Sequence, residues 1–157
     1  MIDRKRTLAL HAAAGGAAFL IILSFQTATM LAESFAGPAD VAAVKTGVVL
    51  GLLALVPAMA AAGASGRRLA GPSPKGLAAR KLRRLVCAAL NGAVVLVPCA
   101  LFLAWKARMG IFDASFFAVQ ALELAAGLVN LVLIGLNMRD GLAMSGRLRR
   151  RALSIAR

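Results

Sequence analysis

Charge is scarce in this sequence, and carboxylates are scarcest. Only 16% of its 157 residues are charged and only six are acidic, where an ordinary soluble domain has about a quarter charged. There is no tyrosine, one tryptophan and 5% aromatic residues in all. The basic runs therefore lack the interleaved rings of a base-stacking surface, and no nucleic-acid partner is expected despite a net charge of +13. The two cysteines, Cys87 and Cys99, fall in one apolar run. In a helix they would lie ~18 Å apart, beyond disulfide reach, so they read as small buried hydrophobes rather than a framework, a zinc knuckle or a redox pair. With His11 the single histidine, no metal site is expected and His11 is at most a weak candidate. Haem would need a second axial ligand from Met59, Met138 or another copy's His11, and no cofactor is predicted. Phosphate-binding glycine loops, metalloprotease helices and calcium loops are absent as well.

What the chain does have is hydrocarbon. Hydrophobic residues make up 61% of it, and four apolar stretches cover residues 8–32, 46–64, 85–105 and 116–138. Each matches the ~20 residues that a membrane-spanning helix needs. The first follows the basic opening MIDRKR, but its uncharged run is longer than the ~7–15 residue core of a leader, so it is read as a span. The expectation is an all-α polytopic membrane protein, a four-transmembrane-helix up-down-up-down bundle forming a single integral membrane domain over residues 1–157. The remaining segments are short, leaving no space for a separate soluble domain of ~50 residues.

The cations divide unevenly. Arg4, Lys5, Arg6, Arg67, Arg68, Lys75, Arg80, Lys81, Arg83, Arg84, Arg139, Arg147, Arg149, Arg150, Arg151 and Arg157 fall on one side of a four-span topology, and only Lys45, Lys106 and Arg108 on the other. The positive-inside rule then puts both termini in the cytoplasm of a bacterial-type inner membrane. On this reading Arg67, Arg68, Lys75, Arg80, Lys81, Arg83 and Arg84 form a cytoplasmic basic surface in a loop over 65–84. That surface suits anionic lipid headgroups or simply fixes topology. A basic tail over 139–157 extends the last helix or lies on the membrane as a short amphipathic segment. On the far side, Gly37-Pro38 and Asp40 mark a turn within a loop over 34–45.

The fourth stretch carries the most information. Gln120, Glu123, Gly127, Asn130 and Asn137 recur at helical spacing on an otherwise aliphatic segment, a polar stripe that must face the bundle interior. A carboxyl group in hydrocarbon costs ~2.5–3.5 kcal/mol, so Glu123 needs a partner or a wet cavity. Gln26, Thr29 and Glu33 share a face of the first span at a similar depth. The sharpest candidate site is therefore an intramembrane polar seam of Gln26, Thr29, Glu33, Gln120, Glu123 and Asn130, with Lys45 as a cation at its outer mouth. In the bland form Glu123 is protonated and bonded to Gln26 or to a carbonyl freed by proline; in the sharp form it carries protons.

Two smaller signals remain. Gly47-x-x-x-Gly51 and Ala58-x-x-x-Ala62 allow close helix approach, within the bundle or in a homodimer. Pro57 and Pro98 sit in matching phrases, Gly51-x-x-x-Leu55-Val56-Pro57 and Gly92-x-x-x-Leu96-Val97-Pro98, and each frees the carbonyl four residues back.

Gly63-Ala64-Ser65-Gly66 resembles the GxSG nucleophile motif of rhomboid intramembrane proteases, with His11 expected at the same membrane face. In that family the serine lies at a helix start facing the outer side, whereas Ser65 follows the inner end of the second span. A small-residue helix end is the other reading, and no residue is assigned a catalytic role. The expected function is a non-enzymatic accessory or interaction subunit with an unknown membrane partner or a second copy of itself. The alternatives are a proton-linked transporter or channel using Glu123 and a haem-bearing redox anchor.

Overall fold

Each apolar stretch forms a helix, and every helix runs further than its hydropathy marks out. The computed structural model describes residues 3–144. They form α1 (Arg4–Phe35), α2 (Pro38–Ala70), α3 (Gly76–Asn91), α4 (Val97–Arg108) and α5 (Ala114–Met144), with a π-helical turn at Gly92–Leu96 joining α3 to α4 in one rod. No strand occurs among the described residues. The rods contain 32, 33, 33 and 31 residues and are all long and apolar enough to cross a membrane. At ~1.5 Å per residue each exceeds the ~30 Å hydrocarbon core, so their ends reach the headgroups.

That excess length corrects three expected boundaries. The loop over 34–45 shrinks to Ala36 and Gly37, because Pro38 in the first turn and Asp40 beside it start α2 at once. The basic loop over 65–84 shrinks to residues 71–75, with Gly71 at φ +76° ending α2. The last helix continues through Asp140 to Met144, so the expected tail over 139–157 begins as helix. Its amphipathic part, with Arg147, Arg149, Arg150, Arg151 and Arg157, lies outside the described residues. Hydropathy stops where charges begin, whereas a helix stops only where Gly, Pro or a cap interrupts its hydrogen bonds.

The rods form a ring in which each touches its sequence neighbours and α1 closes on α5, while the diagonal pairs stay apart. One end of the bundle carries two turns, 36–37 and 109–113. The second is closed by Gly110 at φ +69°, by Ile111 N–H donating to the Lys106 carbonyl at 3.0 Å, and by Asp113 Oδ1 accepting the Phe116 N–H at 3.0 Å. The opposite end is basic.

Large apolar side chains point outward from all four rods, Leu53 at 76% and Val94 at 69% exposure among them, as a lipid-facing surface requires. The interior is lined by small and polar residues. Two apolar layers cross it. Ala32, Val41, Leu103, Ala107 and Phe116 fill the double-turn end, and Ile22, Ala88 and Ile134 pack together in the other half. Gly51 admits the Phe25 ring, which a Cβ would strike, so α1 and α2 approach closely there, whereas Gly47 faces open space.

Candidate functional site: a layered polar interior

α5 supplies one wall of the interior. Its buried residues are Phe116, Gln120, Glu123, Ala126, Gly127, Asn130, Ile134 and Asp140, a stripe with steps of three and four. Between the two apolar layers this stripe meets polar groups from the other three rods, in two tiers.

The first tier holds an ion pair across a diagonal of the ring. Lys45 is 1% exposed, and its Nζ donates to Glu123 Oε2 at 2.8 Å. Glu33 Oε1 lies 3.5 Å from the same ammonium and the Thr29 hydroxyl also at 3.5 Å. One cation thus faces two carboxylates, one buried on α5 and one part-exposed near the end of α1. The structure corrects the position expected for Lys45. With α2 starting at Pro38, Lys45 lies two turns inside the helix, and its flexible stem carries the charge to the bundle axis. It also corrects the partner expected for Glu123, which is this ammonium and not Gln26 or a proline-freed carbonyl. Gln120, one turn nearer the double-turn end, is 3% exposed, and neither its Nε2 nor its Oε1 finds a partner.

The second tier is made of amides. Gln26 Nε2 donates to the Leu124 carbonyl at 2.9 Å, and its side chain lies over Gly127, where a Cβ would come within 2.7 Å of Oε1. Asn91 Nδ2 donates to Asn130 Oδ1 and to the Ala126 carbonyl, both at 2.9 Å, while Asn130 Nδ2 donates to the Ala88 carbonyl at 3.2 Å. Asn91 immediately precedes the π-helical turn, where the Val97 N–H reaches the Gly92 carbonyl. The wider turn accommodates Pro98, which has no N–H to continue a regular ladder.

Beyond the Ile22, Ala88 and Ile134 layer the polar groups resume at the basic end. Arg84 Nη1 meets Asp140 Oδ2 at 2.7 Å, Arg139 meets the other oxygen at 3.3 Å, and Asn137 Nδ2 donates to the Lys81 carbonyl at 3.0 Å. Arg84 is therefore turned into the bundle rather than spread on the basic surface with Arg67, Arg68, Lys75, Arg80 and Arg83, and Lys81 is half-buried. Sequence reasoning missed the Arg84–Asp140 pair because it placed both residues outside the spans. At the double-turn end a second buried lysine, Lys106, binds both Asp113 oxygens at 2.5 and 2.6 Å, and also the Ser115 hydroxyl. Its hydrogen bond to Asp113, with those from Ser115 and the Phe116 N–H, holds the Asp113 carboxyl below the usual carboxylate range.

His11 and Ser65 do come together, with Nδ1 to Oγ at 3.2 Å. The same Nδ1 lies 3.0 Å from the Ala62 carbonyl, and Ser65 Oγ lies 2.5 Å from the Ala61 carbonyl. Carbonyls only accept, so Nδ1 carries a proton and the serine gives its own to Ala61. In that arrangement the histidine is a donor and not a base, and the serine is 2% exposed. The contact ties α1 to α2. Among the described residues no group of three or more His, Cys, Asp and Glu side chains converges as a metal site. Cys87 is exposed and Cys99 buried, and neither is in a disulfide.

Comparison of the chain with protein-family models, curated proteins and solved structures finds no match. Four helices long and apolar enough to cross a membrane make this a multi-pass membrane protein by fold.

Proposed function

We propose that this chain is a small, non-enzymatic accessory or interaction protein of a bacterial-type inner membrane, with both termini cytoplasmic, in which the polar seam fixes helix packing. One observation carries the reading. The two polar tiers lie between apolar layers, and nearly every group in them is consumed by another rod: Lys45 by Glu123, Gln26 by Leu124, Asn91 by Asn130. Polar groups closed on one another in this way act as interhelical adhesive and leave little free for a substrate. The orientation rests on the asymmetry of the cations. Reporters fused at Lys75 and at the C-terminus should read cytoplasm, and those at Asp40 and Asp113 the opposite compartment. An outer signal at the C-terminus would overturn the topology.

A second reading, a proton-linked transporter using Glu123, draws on Lys45 facing two carboxylates and on the unpartnered amide of Gln120. Reconstituted vesicles separate the two. On the packing reading wild type shows no pH-dependent solute flux and Glu123→Leu lowers thermal stability. Flux abolished by Glu123→Gln in a normally folded protein would transfer the role to the second reading, since an amide cannot titrate.

A further inference from the structure

The seam between α2 and α3 is not filled along its whole length. A lateral groove of about 400 Å³ opens there, lined by Met59, Gly63 and Arg67 on one side and by Leu82, Leu85, Val86 and Ala89 on the other. Its walls are almost wholly apolar. The groove exists because Gly63 presents no side chain, with nothing within 4 Å of where a Cβ would stand, and because Ala89 opposite is small. From Met59 to Arg67 it runs ~12 Å along α2, less than half of a ~30 Å hydrocarbon core, so it stays within one leaflet. Arg67, in the last turn of α2, closes its interfacial end. Arg68, Arg80 and Arg83 are exposed at the same end of the bundle. No carboxylate among the described residues pairs with any of these four arginines.

A greasy slot one leaflet deep with an unneutralised guanidinium at its rim matches the two halves of one kind of molecule. We propose that the α2–α3 groove is a binding site for a single anionic phospholipid, one acyl chain lying along Gly63 and Ala89 and the phosphate paired with Arg67. The slot selects an extended aliphatic chain, and the guanidinium fork selects phosphate oxygens. Zwitterionic lipids carry the same chains but cancel the attraction with their own cation, so the local excess of arginine supplies the discrimination.

The test is native mass spectrometry of the full chain in mild detergent with phosphatidylglycerol or phosphatidylcholine added, each variant being checked for helicity. Wild type should retain one phosphatidylglycerol and little phosphatidylcholine. Gly63→Leu, which fills the slot, should remove that preference, and Ala89→Leu, filling it from α3, should do the same. Arg67→Gln should weaken phosphatidylglycerol retention about fivefold, the change that ~1 kcal/mol per basic residue implies. Arg68→Gln, outside the groove, should change it less than Arg67→Gln does. Equal retention of both lipids, or phosphatidylglycerol retention untouched by both slot-filling variants, would overturn the proposal. So would a lipid-free dimer, since a second copy would then be what covers the groove.

Discussion

Lys45 and Lys106 are both buried lysines near the double-turn end, and they are buried for different reasons. Lys106 lies in the last turn of α4 and meets Asp113 and Ser115 a few residues later in the chain, beside a part-exposed rim. Lys45 sits two turns inside α2 and meets Glu123, 78 residues away, across the diagonal of the ring. The first contact closes a turn that its own sequence already specifies. The second exists only when α1, α2 and α5 are assembled, and it in turn fixes their register. Buried charge near the end of a span is inexpensive because water is near, whereas at the axis it must be paired.

The comparison breaks most easily at Lys45. Lys45→Met leaves Glu123 beside Glu33 with no cation, and unfolding in mild detergent should show a loss of ~3–5 kcal/mol, the range for a buried pair deprived of one partner. Lys45→Met combined with Glu123→Leu should recover most of that loss, because two apolar side chains leave no buried charge. A harmless single variant would mean that Lys45 is no better buried than Lys106.

Next in size is Gly127→Ala, whose new methyl would displace the Gln26 amide from its bond to Leu124. The same unfolding measurement should report ~1–2 kcal/mol. Asn130→Leu removes the partner of Asn91 and the bond to Ala88, and should lose ~0.6–1.7 kcal/mol, the span seen for membrane hydrogen bonds. An effect as large as that of Lys45→Met would shift the centre of the seam to the amide tier.

The smallest effect is expected at the turn. Because Asp113 in the folded chain binds its proton less readily than in the unfolded one, its contribution is complete above the ordinary value near 3.8 and is lost as pH falls below it. Titrating stability downward through that region should show a shallow acid loss that Asp113→Asn abolishes. A loss unchanged by that substitution would take the acid sensitivity away from this turn.

Much of this architecture is legible without coordinates. The four rods follow from hydropathy, and the buried face of α5 follows from the spacing of Gln120, Glu123, Gly127 and Asn130. Sequence misplaces Lys45 for a local reason: Gly37-Pro38 resembles the middle of a loop, although Pro followed by Asp40 is how a helix begins. Arg84 and Asp140 were lost to the rule that charge marks the edge of a span, which ignores that two charges can hide each other. The partner of Glu123 was beyond reach from one sequence, because several polar residues lay at compatible depths and only assembly chooses among them.

The π-helical turn at Gly92–Leu96 has a consequence for how this protein tolerates change. A π turn holds one residue more than an α turn, and one residue is about 100° of rotation. The third rod therefore has two angular phases, one directing Ala88 and Asn91 to the interior and another directing Leu103, Lys106 and Ala107. Deleting a single residue between 92 and 96 would turn this segment into a regular α turn and leave the outer half in the same phase, whereas inserting one more would swing that half by about 100°, carrying the Lys106 ammonium toward lipid. A one-residue deletion there should be mild and a one-residue insertion severe, which marks this turn as the place where the chain carries its one spare residue.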